Sequence, residues 1–130
     1  MSHFNWEEFY EVGNHLNNFS KREAYQRSAI GRYYYSCFGP VKDYYETSFR
    51  KTLPSDNAHS TLIRTLRHSP FVEEQKLGLK LDNLRINRNY ADYTAKEINK
   101  NITSESKRDA EEIFLMLKEL HKNPLRLMEN

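Results

Sequence analysis

In the stretch Leu84-Arg-Ile-Asn-Arg88-Asn-Tyr-Ala-Asp92-Tyr93, an arginine, an amide, a carboxylate and a phenol follow one another closely. A guanidinium offers a planar fork of donors that grips a phosphate bidentately and stabilises charge developing on it. Leu77, Leu81, Leu84, Arg88, Ala91 and Ala95 recur at alternating four- and three-residue steps, so Arg88 lies on the line of an otherwise apolar helix stripe. Charges are rarely buried without a partner. Asp92, one turn after Arg88, is placed to pair with it. Two readings stay open: an Arg88–Asp92 ion pair sealed at a bundle end, or an arginine kept for phosphate with Asn89 beside it.

Breaking a phosphate ester also needs a base and an acid, roles that suit histidine because it titrates near neutrality. The histidines at 3, 15, 59, 68 and 121 show neither HxxxH nor HExxH spacing, and Cys37 is alone, so no metal site, cofactor or internal disulfide is expected. His59 falls in the first turn of a helix, where a histidine is ordinarily structural; a place in a cleft with Arg88 would make it a phosphate-binding candidate. Tyr93 lies five residues after Arg88 in the same segment. A tyrosine, with an ordinary pKa of ~10, is a poor base at neutral pH but can serve as an acid or a phosphate ligand. Arg32 is a further phosphate-binding candidate, its alternative being a surface arginine whose stem covers Tyr33 or Tyr35. Arg27 lies about 140° around the helix from Arg32, so the two cannot form one clamp. The Tyr33-Tyr34-Tyr35 run points in three directions, and at most two of its rings face inward.

The chain that must position these groups has 130 residues, 20 Lys and Arg against 18 Asp and Glu, and 38% hydrophobic content. That is room for one domain. Near-balanced charge argues against the broad basic stripe of a dedicated nucleic-acid binder. The local excess lies between residues 21 and 52, where seven Lys or Arg face three Asp or Glu. No run approaches the ~20 apolar residues needed to cross a bilayer, so no membrane association is expected. The first 20 residues carry three Glu and no Lys or Arg, the opposite of a targeting segment, and a cytoplasmic location is expected. Nine Tyr and seven Phe beside only four Gly and four Pro imply long elements around an aromatic core.

Helical spacing of Trp6, Phe9, Tyr10, Gly13 and Leu16 predicts a first helix over about 4–17. Residues 21–51 read as one long helix opened by a Ser20–Glu23 capping box, striped by Ile30, Tyr34, Cys37, Val41 and Tyr44, and kinked near Gly39-Pro40. A third helix over 58–68 carries Leu62, Ile63 and Leu66, with Ser55 or Asp56 as its cap. The fourth runs from near Phe71 toward Arg88, and 89–102 is ambiguous between helix and connection. Thr103 or Ser104 is expected to cap a last helix that stops at Asn123-Pro124, leaving 123–130 as a frayed tail. No strand-like alternation is sustained. The expected architecture is an all-α antiparallel up-and-down bundle of four to five helices, one domain with its core over about 4–122.

Three segments together carry a resemblance: Arg27-Ser28-Ala-Ile-Gly-Arg32-Tyr-Tyr-Tyr-Ser-Cys-Phe38, Asn57-Ala-His-Ser-Thr-Leu-Ile63, and Leu84 to Tyr93. In order and spacing they resemble the HEPN domains, in particular small stand-alone members, over roughly residues 20–120. The resemblance implies a helical bundle that pairs into a symmetric homodimer. It further implies a metal-independent endoribonuclease without cofactor, of the toxin or phage-defence kind, whose composite site lies in the dimer cleft and leaves a 2′,3′-cyclic phosphate. The family motif, Arg-polar-(three to five residues)-His, maps onto Arg88 and Asn89, with Tyr93 where histidine is expected. Arg32 and His59 match a family arginine and histidine. In some family pairs a tyrosine at the Tyr93 position is the residue that a partner nucleotidyltransferase modifies. The alternative implied reading is therefore a non-catalytic nucleotide-binding or interaction module with a cognate nucleotidyltransferase antitoxin.

Overall fold

The computed structural model describes residues 4–126, which form five α-helices and no strand: α1 (Glu7–Phe19), α2 (Glu23–Phe49), α3 (Ala58–Arg67), α4 (Val72–Tyr93) and α5 (Lys100–Lys122). The chain is thus an all-α bundle. α2 is its axis, packed against α1, α4 and α5, while α3 lies against α4. The stripes explain this arrangement. Ile30, Tyr34, Cys37 and Val41 of α2, Leu62, Ile63 and Leu66 of α3, Leu77, Leu81 and Leu84 of α4, and Ala110, Ile113 and Leu120 of α5 are all buried.

α2 runs through Pro40 as one helix from Glu23 to Phe49. Proline removes one rung of the ladder and crowds the preceding turn, and Gly39 beside it serves a different need. A β-carbon there would sit 2.1 Å from Trp6 Cδ2, so only glycine lets the indole, just ahead of α1, lie against the middle of α2.

Several boundaries differ from expectation. α4 continues past Arg88 to Tyr93, which carries Asp92 and Tyr93 on helical backbone. α5 starts at Lys100, and its cap is Asn99, whose Oδ1 accepts from the Asn101 N–H at 2.9 Å. Thr103 and Ser106 are buried within the helix instead of opening it. The Ser20–Glu23 box does not form. Ser20 Oγ accepts from the Arg22 N–H at 3.1 Å, and the Glu23 carboxylate turns to Arg27 and to the Ile98 N–H. Neither Ser55 nor Asp56 caps α3; Asn57, in the left-handed region at φ 55°, precedes it without a side-chain cap.

The expected frayed tail is ordered up to the last described residue, and 127–130 lie outside the described residues. Arg126 reaches the buried carboxylate of Glu74 at 2.5 and 2.9 Å and lies 4.0 Å from the centre of the Phe49 ring. Tyr44 and Ser69 donate to the same carboxylate at 2.5 and 2.6 Å. Burial pushes the Glu74 pKa up, but the hydrogen bonds from Arg126, Ser69 and Tyr44 outweigh it and hold the group below the ordinary carboxylate range. Among the described residues no helix is long and apolar enough to cross a membrane, and no cluster of three or more His, Cys, Asp or Glu could hold a metal ion.

Candidate functional site

The C-terminal half of α4 follows the buried line of Leu77, Leu81 and Leu84 up to Arg88, where the stripe meets the gap between α2 and α3. Arg88 is largely covered, its side chain 18% exposed, and its Nε donates to Asp92 Oδ2 at 2.9 Å. The ion pair foreseen from the spacing is therefore present, yet it does not seal the arginine. The guanidinium carbon lies 5.2 Å from the Tyr35 ring centre, 5.7 Å from Tyr93 and 5.9 Å from Tyr34, a collar of three aromatic rings. Asn89 Oδ1 lies 3.5 Å from Nη1. Rings that hold a guanidinium from the side without exhausting its donors leave it able to take an anion.

His59 enters the same corner from the first turn of α3. Its ring stacks on Phe38 at 4.0 Å and 17°, and Nδ1 lies 2.5 Å from the Tyr34 hydroxyl. Tyr34 is fully buried, and burial pushes its phenol far above the ordinary range, so it keeps its proton; that O–H has no other acceptor among the described residues, and we assign it as the donor to Nδ1. That assignment puts the imidazole proton on Nε2. Burial lowers the His59 pKa, and the positive charges of Arg85 and Arg88 lower it further. At neutral pH His59 is thus a neutral ring whose remaining nitrogen donates. It suits an oxyanion ligand better than a base.

Of the six residues singled out in sequence, Arg88, Asn89, Asp92, Tyr93 and His59 share this corner. Arg32 does not. Its guanidinium lies over Phe9 of α1, 5.1 Å from the ring centre. The positive excess of α2 is not the site either. Arg27 donates to the carbonyls of Ala91, Thr94 and Lys96 at 2.6–2.7 Å, closing the C-terminus of α4 and fixing the turn that carries Asp92 and Tyr93. Sequence reasoning missed Arg85. Its spacing of three from Arg88 puts both cations on one helix face, a signal that was available.

Tyr93 ends α4 with 73% of its surface exposed. The collar contact with Arg88 holds one side of its ring, and its hydroxyl has no hydrogen-bond partner among the described residues. Comparison with protein-family models, curated proteins and solved structures gave no match, so the HEPN resemblance rests on the quoted residues alone.

Proposed function

We propose that this protein acts on RNA as a HEPN-like, metal-independent endoribonuclease whose site is the α2–α3–α4 corner. The observation that supports this reading is Arg88, held by three tyrosine rings beside a neutral His59 and paired with Asp92 at 2.9 Å. A phosphodiester that takes the guanidinium of Arg88 displaces Asp92 and leaves that carboxylate next to the ribose. Asp92 then removes the 2′-hydroxyl proton, O2′ bonds to phosphorus, and the bond from phosphorus to O5′ breaks. Tyr93 gives its proton to the leaving O5′, and a 2′,3′-cyclic phosphate remains. Arg88, Arg85 and the His59 Nε2–H stabilise the charge on the non-bridging oxygens. Asn89 orients Arg88. In a symmetric homodimer two such corners would face one cleft, which is how the family builds a composite site. Incubation of wild type and Arg88→Ala with total RNA in EDTA tests the reading: wild type cleaves, the variant does not, and equal behaviour of the two defeats it.

The exposure of Tyr93 favours a second reading, in which a partner nucleotidyltransferase attaches a nucleotide to its hydroxyl and the corner binds that nucleotide. An intact mass raised by one nucleotide in co-expressed wild type, and not in Tyr93→Phe, is the expected sign. An unmodified wild type removes this reading.

A further inference from the structure

Beside the Arg88 corner, between α3 and α4, lies an open pocket of about 470 Å³ whose floor includes Ile63 and whose polar lining is Ser60, Arg64, Arg67, His68, Asp82 and Arg85. Its charge is one-sided. Three arginines surround it, and the one carboxylate, Asp82, is engaged by Arg67 at 3.1 Å. Arg64 and Arg85 have no carboxylate partner among the described residues. His68 uses Nδ1 to reach the Arg64 carbonyl at 2.8 Å, which ties the ring to the end of α3. Arg64 and Arg85 thus line one pocket without a carboxylate between them, and an anion bound there would offset their like charges. Arg85 lines this pocket and stands three residues before Arg88 on α4, and its charge is felt at His59 and Tyr34 of the neighbouring corner. The two basic centres are therefore contiguous, joined through Arg85, one helical turn before Arg88.

We infer that the α3–α4 pocket is a second phosphate subsite. Resting on the RNA reading above, it takes the phosphate adjacent to the one at Arg88 on the same strand. Arg64 and Arg85 supply the bidentate contacts, and Arg67, tied to Asp82, sets the rim. RNA bound in this way spans at least two consecutive phosphates, so a mononucleotide occupies only half the site.

The test uses the full chain and two probes. For a short fluorescent oligouridylate, the slope of log affinity against log salt falls by ~0.7 for every single-strand phosphate that the protein ceases to neutralise. Arg64→Gln and Arg88→Gln are each expected to lower the slope by about that amount, and the double variant by about twice as much. Lys118→Gln, on α5, which does not touch α3, leaves it unchanged. Inorganic pyrophosphate is the second probe, with the Arg64 and Arg85 side-chain N–H resonances expected to shift in wild type. RNA binding whose slope falls in Arg88→Gln but not in Arg64→Gln overturns the subsite and leaves the RNA reading standing. A wild type that binds no RNA yet shows the pyrophosphate shifts defeats the RNA reading and supports a phosphate pocket. Neither RNA binding nor shifts overturns both.

Discussion

The Tyr34 hydroxyl donates to His59 Nδ1 across the α2–α3 gap, and this one bond decides which imidazole nitrogen faces the Arg88 corner. Because the buried Tyr34 O–H has no acceptor other than Nδ1 among the described residues, the His59 lone pair is held on Nδ1 and Nε2–H is turned outward. Tyr34→Phe removes the constraint. Long-range proton–nitrogen correlation is expected to show His59 protonated on Nε2 in wild type and as a mixture of tautomers in the variant, with a stability loss of ~1 kcal/mol from the missing hydrogen bond. An unchanged tautomer in Tyr34→Phe would falsify the assignment.

His59 also makes stability depend on pH. Its folded pKa is lowered, by burial first and by Arg85 and Arg88 next, so the unfolded chain binds the proton more readily. The contribution is fully present above the unfolded value of ~6.5 and is lost as pH falls below it toward the lowered folded value. Denaturant midpoints measured at neutral pH and at mildly acidic pH should differ more in wild type than in His59→Gln. Equal differences in the two proteins contradict the shift.

Arg126 and Glu74 fasten the chain after α5 to the start of α4. Arg126→Met leaves a buried carboxylate with only its neutral donors, and breaking such a pair costs on the order of 3 kcal/mol. Replacing Glu74 as well, with Gln, is expected to recover part of the loss, because the stranded charge is then gone. Since Glu74 is held below its ordinary range, its contribution is present above pH ~4.3 and fades as pH falls further. Chemical denaturation of the two variants checks this; a single Arg126→Met variant as stable as wild type removes the latch.

Gly39→Ala is predicted to destabilise by about 1–3 kcal/mol, since the new methyl group must push Trp6 off α2. Tryptophan fluorescence should shift to the red as the indole gains water. A variant with wild-type stability and emission shows that Trp6 does not depend on this contact.

The bundle was legible because Leu77, Leu81 and Leu84, like Leu62, Ile63 and Leu66, repeat at helical spacing, and such stripes must be buried together. The end of α4 was not, because Asn89 and Tyr90 interrupt the apolar pattern and the helix is completed by Arg27 from α2, a contact between residues 64 to 69 positions apart. The start of α5 was misplaced for a related reason: Asn99 caps it, while the buried Thr103 and Ser106 look in sequence like surface or cap residues. The site was half legible. Arg88 and Asp92 announce themselves by spacing within one helix, whereas the promotion of His59 depends on a ring from α2 25 residues away. The Arg126–Glu74 pair joins two charges 52 residues apart, and a glutamate in the first turn of a helix ordinarily reads as solvated.

On the proposed function, Arg88 seats the phosphate attacked by a neighbouring 2′-hydroxyl. A DNA oligonucleotide carrying a single ribonucleotide, incubated in EDTA, isolates that step. Wild type should cut only on the 3′ side of the ribonucleotide and leave a cyclic phosphate, and Arg88→Ala should leave the strand intact. An uncut strand with wild type, cutting at deoxynucleotides, or undiminished cutting by Arg88→Ala contradicts the account.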